Sequence, residues 1–334
     1  MRARLLLTGK GEAKVRDYPE EAGAPVLPRD RRLAIIFNPT AGMRARARLT
    51  PVLRRLEAAG AKVDLRATGC RGDGERIAAG IGRQDADVLV VAGGDGTLNE
   101  VLNGLTAESP PLGVIPLGTA NVFAAEIGLG TSARDVAETL LHGQAWPLRP
   151  GRVNGRRFLM MAGAGFDADV VQGVHPGLKR LLGKGAYAFQ IMKEFAILDP
   201  PRLTCRVEAQ SVDVAACILA KGKHYAGRFV LAPHADIARS DFEAVLFRRG
   251  RRRDVLRYLL ALPFGRLWRV PGVELRRVTM LEITGPAGLP VHADGDIVTR
   301  LPVTVDMAPE TFYVLRATRM TSGQSTQSSS RSRG

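Results

Sequence analysis

The chain has 334 residues and an apolar share of 45%, which suit two folded domains and exclude a disordered chain. Its formal net charge of +15 favours an anionic partner, namely nucleic acid, an anionic membrane or a phosphorylated ligand, without choosing among them. The three cysteines lack metal or redox spacing, and no stretch is long and apolar enough to span a bilayer, so we expect a soluble cytoplasmic protein.

Residues 1–30 have mixed charge, prolines and little periodicity, which predicts an irregular N-terminal extension. From Leu33 the chain alternates apolar strands with segments of helical period. The strands are predicted at Leu33–Phe37, Lys62–Ala67, Asp87–Ala92 and Leu112–Ile115, and the helices at Arg46–Ala59, Glu75–Ile81 and Thr97–Leu105. This alternation predicts a doubly wound α/β domain over residues 31–149, with ligands at the carboxyl ends of its strands.

The third predicted strand runs into a glycine-rich turn, Gly93–Gly96, which also contains Asp95. Thr97, with Glu100 three residues later, is typical of a capping box that opens a helix. Loop N–H groups and the positive end of the helix dipole would then face a bound phosphate. An ordinary strand-to-helix turn is the alternative, but an acidic residue between glycines is more typical of a site for a metal-bound polyphosphate.

The other predicted strands of this domain also end in small polar or glycine turns. The first is followed by Asn38–Gly42, the second by Thr68 and Gly69, and the fourth by Pro116–Phe123. Because the carboxyl ends of parallel strands meet at one edge of the sheet, these turns should converge. The arrangement is typical of a nucleotide site.

Residues 150–306 read as a second, mostly antiparallel β domain. Asn154-Gly155 is a two-residue hairpin signal, and Leu203–Ala209 is expected to pair with Val212–Ala220 through Gln210-Ser211. Further strands are predicted at Arg228–Leu231, Glu243–Phe247, Val273–Ile283 and Pro302–Val305. One amphipathic helix, Leu178–Leu198, interrupts them, and it suits either core packing or a membrane surface.

Two further segments bear on partners. The basic run Arg248–Arg253 leads into the apolar segment Val255–Leu262, a pattern that fits either an anionic lipid surface or a solvated loop. Residues 319–334 have the composition of a disordered tail. The sparse aromatic residues argue against a nucleic-acid partner, and the sequence contains no Walker A, GxGxxG, HExxH or GxSxG motif.

Three motifs carry a resemblance to a known family: Asn38-Pro39-x-x-Gly42, the segment Gly93–Val101, and Pro116–Asn121. Their order and spacing resemble the diacylglycerol kinase catalytic-domain family, which includes bacterial lipid kinases, sphingosine kinases and ceramide kinases. Gly163–Ala168 is similar to the next motif of that family. NAD kinases share the GGDGT core, but the residues that follow it here resemble the lipid kinases.

The resemblance implies an ATP and Mg²⁺ site on the first domain and a lipid-substrate β-sandwich over residues 150–306, with about 307–318 returning to complete the first domain. The residues expected to bind nucleotide are Asn38, Pro39, Gly42, Thr68, Gly93, Gly94, Asp95, Gly96, Thr97, Asn99, Glu100, Gly118, Thr119 and Asn121. Asp95 is expected at the metal-bound phosphates. Asp294-Gly295-Asp296 occupies the place of the Asp-Gly-Glu that carries the general base, so Asp294 and Asp296 are both candidates.

Bacterial relatives also hold a structural magnesium with acidic residues. Asp241 keeps one acidic position of that site, whereas Ala238 and Phe242 depart from its pattern. We therefore predict that this structural site is weakened or missing.

The resulting hypothesis is an ATP-dependent lipid kinase that associates peripherally with an anionic membrane and phosphorylates diacylglycerol to phosphatidic acid, or a sphingoid base or ceramide. An NAD kinase-like enzyme is one alternative, and a non-catalytic protein that binds nucleotide and anionic membrane is another. The sequence leaves the oligomeric state, including a homo-oligomer, open.

Overall fold

The structure is a computed structural model that describes residues 25–317 except 29, 43, 166–201, 208–209, 226 and 228. The greater part of the predicted N-terminal extension, the predicted helix Leu178–Leu198 and the predicted tail therefore lie outside the described residues, as does the second half of the Gly163–Ala168 motif.

Strands supply most of the described regular structure. They are β1 (Arg32–Phe37), β2 (Lys62–Ala67), β3 (Val88–Gly93), β4 (Leu112–Pro116), β5 (Gln144–Leu148), β6 (Gly151–Val153), β7 (Arg156–Phe158), β8 (Met161–Gly165), β9 (Leu203–Val207), β10 (Gln210–Val214), β11 (Ala216–Ala220), β12 (His224–Tyr225), β13 (Phe229–Val230), β14 (Phe242–Phe247), β15 (Val273–Val278), β16 (Met280–Thr284), β17 (Pro290–Ala293), β18 (Asp296–Arg300), β19 (Val303–Met307) and β20 (Phe312–Arg316).

The helices of the described residues lie mainly before residue 143. They are α1 (Ala45–Ala58), α2 (Asp73–Ala79), α3 (Asp95–Gly104), α4 (Val122–Glu126), α5 (Ala133–His142), α6 (Arg252–Ala261) and a short 3-10 helix (Leu267–Arg269). Within the part of the chain that the structure describes, no helix combines the length and the apolar character needed to cross a membrane.

The first sheet has the strand order β2-β1-β3-β4-β20-β5. All its pairs are parallel except the one between β20 and β5. Every residue of β3 and β4 is buried, so both faces of the sheet centre are covered, as expected where helices pack on each side of a parallel sheet. The carboxyl ends of β1, β3 and β4 therefore open onto one edge, where the predicted site residues follow.

Two further six-stranded sheets, both antiparallel, follow in the described residues, and β12 pairs with β13 in a separate two-stranded sheet. The strand orders of the two six-stranded sheets are β10-β9-β16-β19-β6-β7 and β15-β14-β11-β8-β17-β18. Apolar side chains from both sheets share one core, in which the rings of Phe158 and Phe242 stack with centroids 5.8 Å apart. This face-to-face packing makes a β-sandwich, and the predicted fold class is confirmed.

Two long predicted strands each prove to be two strands in different sheets. Val212–Ala220 breaks at Ala215 into the end of β10 and all of β11, and Val273–Ile283 breaks at Thr279 into β15 and β16. The predicted turn at Gln210-Ser211 is also wrong, because both residues belong to β10 and Gln210 pairs with Val207. An apolar run does not reveal the point at which the chain passes from one sheet to the other, because the residues before and after that point are buried in the same core.

Candidate active site

The glycine loop leads into α3, which begins at Asp95, two residues before the predicted start. The predicted capping box is wrong. The Thr97 hydroxyl accepts a hydrogen bond from Asn38 Nδ2 at 2.9 Å, and the Glu100 carboxylate accepts one from the Gly74 amide at 3.1 Å. Thr97 thus ties α3 to the loop after β1, and Glu100 ties it to the first turn of α2, so neither side chain caps α3. The first-turn amides of α3 are therefore left without side-chain caps, as an anion site requires.

The strand-end loops approach one another so closely that glycine is required. A Cβ on Gly118 would lie 2.7 Å from the Cα of Gly94, and one on Gly42, whose φ is +134°, would lie 2.9 Å from the Leu117 carbonyl oxygen. The Asn121 amide nitrogen also donates to the Gly118 carbonyl at 2.8 Å. Three of the predicted loops are thus in direct contact at the sheet edge.

Asp95 joins two of these loops. Its carboxylate oxygens accept hydrogen bonds from the backbone amides of Val122 at 3.1 Å and Phe123 at 3.2 Å, at the beginning of α4. The carboxylate therefore acts as an N-terminal cap for α4 across a sequence distance that a local pattern does not reveal. Its expected place at metal-bound phosphates stays a prediction.

We expect Asp95→Asn to raise the KM for ATP about tenfold, because the side-chain amide can accept only one of these two bonds and the loops would lose alignment. Steady-state kinetics with ATP varied would measure it. Asp135→Asn is the matched control, since Asp135 lies in the first turn of α5 and does not line the cleft described next. An unchanged KM in Asp95→Asn would show that the bridge does not position the loop.

A cleft of about 300 Å³ opens at this sheet edge. It is lined by Asn38, Ala41, Arg71, Gly94, Gly96, Thr97, Glu100 and Asp296. The predicted residues that do not line it are Pro39, Gly42, Thr68, Gly93, Asp95, Asn99, Gly118, Thr119, Asn121 and Asp294. The cleft thus brings the glycine loop of the first sheet together with a carboxylate of the sandwich.

Asp296 is the sandwich residue in this cleft. It begins β18, and its side chain is 49% exposed. The guanidinium of Arg71 stands 3.7 Å from one of its carboxylate oxygens. Sequence reasoning missed Arg71, although it follows the second strand end by only a few residues. Thr68 and Gly69 follow the strand directly, whereas Arg71 lies further along the loop, and only its side chain reaches the cleft.

Asp294 lies two residues away in a different environment. It and Gly295 have φ of +50° and +86° and form the turn between β17 and β18. Its carboxylate accepts hydrogen bonds from the Leu159, Met160 and Met161 amides and from the Asn99 side chain at 2.7–3.1 Å. Burial raises the pKa of Asp294, and these four donors oppose that rise. Asp294 therefore holds the sandwich to α3, whereas Asp296 faces the cleft.

The loop around Asp241, where the structural metal site was expected, is held by the side chain of Lys221. Lys221 is fully buried, and its ammonium donates to the carbonyl oxygens of Asp236 at 3.3 Å, Asp241 at 3.1 Å and Arg239. Burial lowers the pKa of Lys221 to about 7, and the attraction of Asp241 opposes that shift.

The Asp241 carboxylate is itself occupied by arginines. Arg239 binds it at 2.6 Å and 2.8 Å, Arg277 stands 3.5 Å away, and the bond from Arg239 holds the pKa of Asp241 below its ordinary value. Among the described residues, no three His, Cys, Asp or Glu side chains gather as metal ligands. These residues do not fit a structural magnesium, because an ammonium and two guanidinium groups already surround the oxygen atoms.

We expect Lys221→Met to lower the free energy of unfolding by about 2–4 kcal/mol, since three buried carbonyl groups lose their donor. Urea unfolding would measure the loss, with Lys223→Met as the control because Lys223 is exposed. The wild-type unfolding midpoint should be the same in EDTA and in magnesium. A midpoint that falls in EDTA would show that a metal ion supports this loop.

Two family models and several curated relatives match this chain. Residues 32–153 match the family described as the diacylglycerol kinase catalytic domain, and residues 160–316 match the YegS C-terminal NAD kinase beta sandwich-like domain. A Bacillus subtilis protein named diacylglycerol kinase is 31% identical over 68% of this chain and 77% of its own length. A Staphylococcus saprophyticus protein of the same name is 28% identical over 81% and 91%.

A solved structure shares the fold. The crystal structure of a protein described as a putative diacylglycerol kinase from Bacillus anthracis superposes with a TM-score of 0.73 at 19% identity, covering 90% of this chain and 98% of its own. The two matched regions together span almost all of the described residues, and the Bacillus subtilis relative exceeds 30% identity over most of its length. The chain therefore belongs to the diacylglycerol kinase catalytic-domain family of lipid kinases.

Proposed function

We propose that this enzyme transfers the γ-phosphate of ATP to a lipid hydroxyl, with diacylglycerol giving phosphatidic acid as the first choice and a sphingoid base or ceramide as the next. The observation that carries the proposal is one cleft in which Asp296 of the sandwich faces Gly94 and Gly96 of the glycine loop. Relatives named diacylglycerol kinase support the choice of acceptor.

The nucleotide side of the cleft would supply hydrogen-bond donors and positive charge to the phosphates, and none of its residues would form a covalent bond to them. The first-turn amides of α3 would cradle the phosphates, with Asn38 and Thr97 fixing the neighbouring loop. Arg71 would add positive charge beside the transferred group, because its guanidinium is largely exposed within the cleft wall. The predicted nucleotide-binding residues that do not line the cleft would contribute by holding its loops in place.

The residues of the cleft fit a magnesium-bound nucleotide, since Glu100 offers a carboxylate of the kind that Mg²⁺ prefers beside the expected place of the phosphates. When bound to the phosphates, Mg²⁺ would neutralise their charge. Both Asp95 oxygens already accept amide hydrogens, so Asp95 would act on the metal-bound phosphates chiefly by positioning the loop.

Asp296 would accept the proton of the lipid hydroxyl as its oxygen attacks the γ-phosphorus. ADP would leave as the bond between the γ-phosphorus and the bridging oxygen breaks. Asp294 would position this base, because the turn that carries both residues is held by four donors to the Asp294 carboxylate.

The acceptor is tested by measuring ATP consumption with diacylglycerol, ceramide, sphingosine and NAD in parallel. We expect turnover with diacylglycerol and little or none with NAD. Exclusive turnover of NAD would support the NAD kinase alternative, which the description of the sandwich family mentions. No turnover with any of the four, together with tight ATP binding, would support a non-catalytic role.

We further propose a cytoplasmic enzyme that meets its lipid substrate at the membrane surface and uses no nucleic-acid partner. Its two domains would comprise residues 31–149 with about 307–318, and residues 150–306. The pairing of β20 with β4 and β5 supports the assignment of the last strand to the first domain.

A further inference from the structure

The outer side of α6 and the turn that follows it expose large apolar side chains. Leu256 is 46% exposed, Leu260 is 61% exposed and Phe264 is 76% exposed, and we call these three residues the outer apolar row. Leu256 and Leu260 share a helix face because they are one turn apart. Three of the seven large apolar side chains that are exposed in the described residues thus fall within nine positions, which forms a patch rather than scattered exposure.

The opposite face of α6 is already used for folding. Val255 and Tyr258 are buried, and the ring of Tyr258 lies 5.0 Å from that of Phe247. The Tyr258 hydroxyl also donates to the Arg249 carbonyl at 3.0 Å. Because the helix is fixed to the body through this face, the outer apolar row is held toward solvent.

Arginines surround the outer apolar row. The exposed ones between residues 248 and 269 are Arg248, Arg249, Arg251, Arg252, Arg253, Arg257, Arg266 and Arg269. The same stretch of sequence contains one acidic residue, Asp254, which is buried and stands 3.6 Å from Arg257, and Glu274 stands 3.9 Å from Arg248. The surface beside the row is therefore strongly positive.

The position of this charge is unfavourable for the helix itself. Arg251 is the N-cap of α6, and Arg252 and Arg253 are its first two residues. The N-terminus of a helix is its positive end, where cations destabilise it. Asp254 in the same turn offsets part of this repulsion, and an external anion beside Arg251, Arg252 and Arg253 would offset more of it.

We infer that the outer side of α6 is a docking surface for an anionic lipid bilayer. The outer apolar row would enter the boundary of the acyl chains while the arginines contact lipid phosphates, as in an amphipathic helix lying in the interface plane. Nucleic acid would use the charge but leave the apolar row exposed to water. The inference deepens the proposed function by naming the surface through which the enzyme reaches its substrate, and bilayer binding can be measured without turnover.

The test is co-sedimentation of the full chain with vesicles of phosphatidylcholine alone or with added phosphatidylglycerol. We expect binding only when phosphatidylglycerol is present. Arg251→Gln with Arg253→Gln should weaken that binding about thirtyfold, since each arginine near the surface contributes about 1 kcal/mol. Leu260→Ser with Phe264→Ser should weaken it about tenfold or more.

Matched variants elsewhere on the protein distinguish an effect specific to the α6 surface from a general effect of lost charge or lost apolar area. Leu65 is 45% exposed on β2, so Leu65→Ser is the apolar control for Leu260→Ser with Phe264→Ser, and Arg54→Gln with Arg55→Gln removes the same charge from α1. These controls should bind as the wild type does. Equal binding by the α6 variants, equal loss in the controls, or a wild type that ignores phosphatidylglycerol would overturn the inference.

Phosphorylation of a short-chain, water-dispersed diacylglycerol distinguishes docking from catalysis. The α6 variants should retain wild-type rates with it, because none of their residues lines the cleft. If the wild type binds vesicles through α6 but phosphorylates no lipid, the proposed function fails while the docking surface stands.

Discussion

Asp296→Asn should lower kcat for lipid phosphorylation by about 10²–10⁴-fold, the range typical of a lost general base. The KM for ATP should change little, because the asparagine side chain would still fill the cleft wall and no amide of α3 would be removed. The melting temperature should also stay near that of the wild type, since the Asp296 side chain is half exposed and its one ion pair with Arg71 is long at 3.7 Å.

Asp296→Glu provides the matched comparison, because it keeps the carboxylate and adds one methylene. We expect it to retain much more activity than Asp296→Asn, as the family pattern has glutamate at this place. Rapid-quench measurement of phosphatidic acid formation would separate chemistry from product release. An unchanged rate of formation in Asp296→Asn would remove Asp296 from the mechanism.

Asp294→Ala should instead unfold the protein more easily, by on the order of 3 kcal/mol or more, because three backbone amides and Asn99 lose their acceptor. The effect should appear as a lower free energy of unfolding in urea. Activity would fall along with the folded fraction, and the surviving folded enzyme should show a changed KM for lipid as the turn loosens.

Asp213→Ala is the control for this loss of stability. Asp213 also accepts a side-chain hydrogen bond, from Thr204 at 3.0 Å, but at an exposed position, so its removal should change stability by no more than about 0.5 kcal/mol. If Asp294→Ala were as stable as Asp213→Ala and nevertheless inactive, Asp294 would be the base and the roles of the two carboxylates would be exchanged.

The sequence predicts β1, β3 and β4 of the first sheet well because they are apolar runs whose residues are almost all buried, and β2 by its place in the alternation of strands and helices. β2 is predicted with its observed bounds, and the bounds of β1, β3 and β4 differ by one residue at most at each end. Because loops that follow parallel strands meet at one edge of the sheet, the order of strands and helices along the chain is enough to predict that the glycine loop and its neighbours lie together. The family motif adds Asp296, which no local pattern connects to residues two hundred positions earlier.

The features that the sequence does not predict depend on contacts between residues that are far apart in the chain. Asp294 and Asp296 are the same residue type in one short motif, and only the amides of Leu159–Met161 distinguish their roles. Lys221 follows an apolar strand, where a sequence pattern suggests an ordinary exposed strand end. Lys221 can be buried because its ammonium donates to three carbonyl groups of the later loop at residues 236–241. Local propensity carries no information about either arrangement.

The place of β20 between β4 and β5 bears on the order in which the molecule can fold. During synthesis, β1 to β5 emerge first, yet β5 reaches the sheet only through pairing with β20, near the end of the described chain. Nearly the whole sandwich must therefore be synthesised before β20 can pair with β4 and β5 and complete the first sheet. Such a long-range closure is slow, and until it occurs the edge of β4 is open to wrong partners. The folding of the first sheet is consequently coupled to the synthesis of the sandwich.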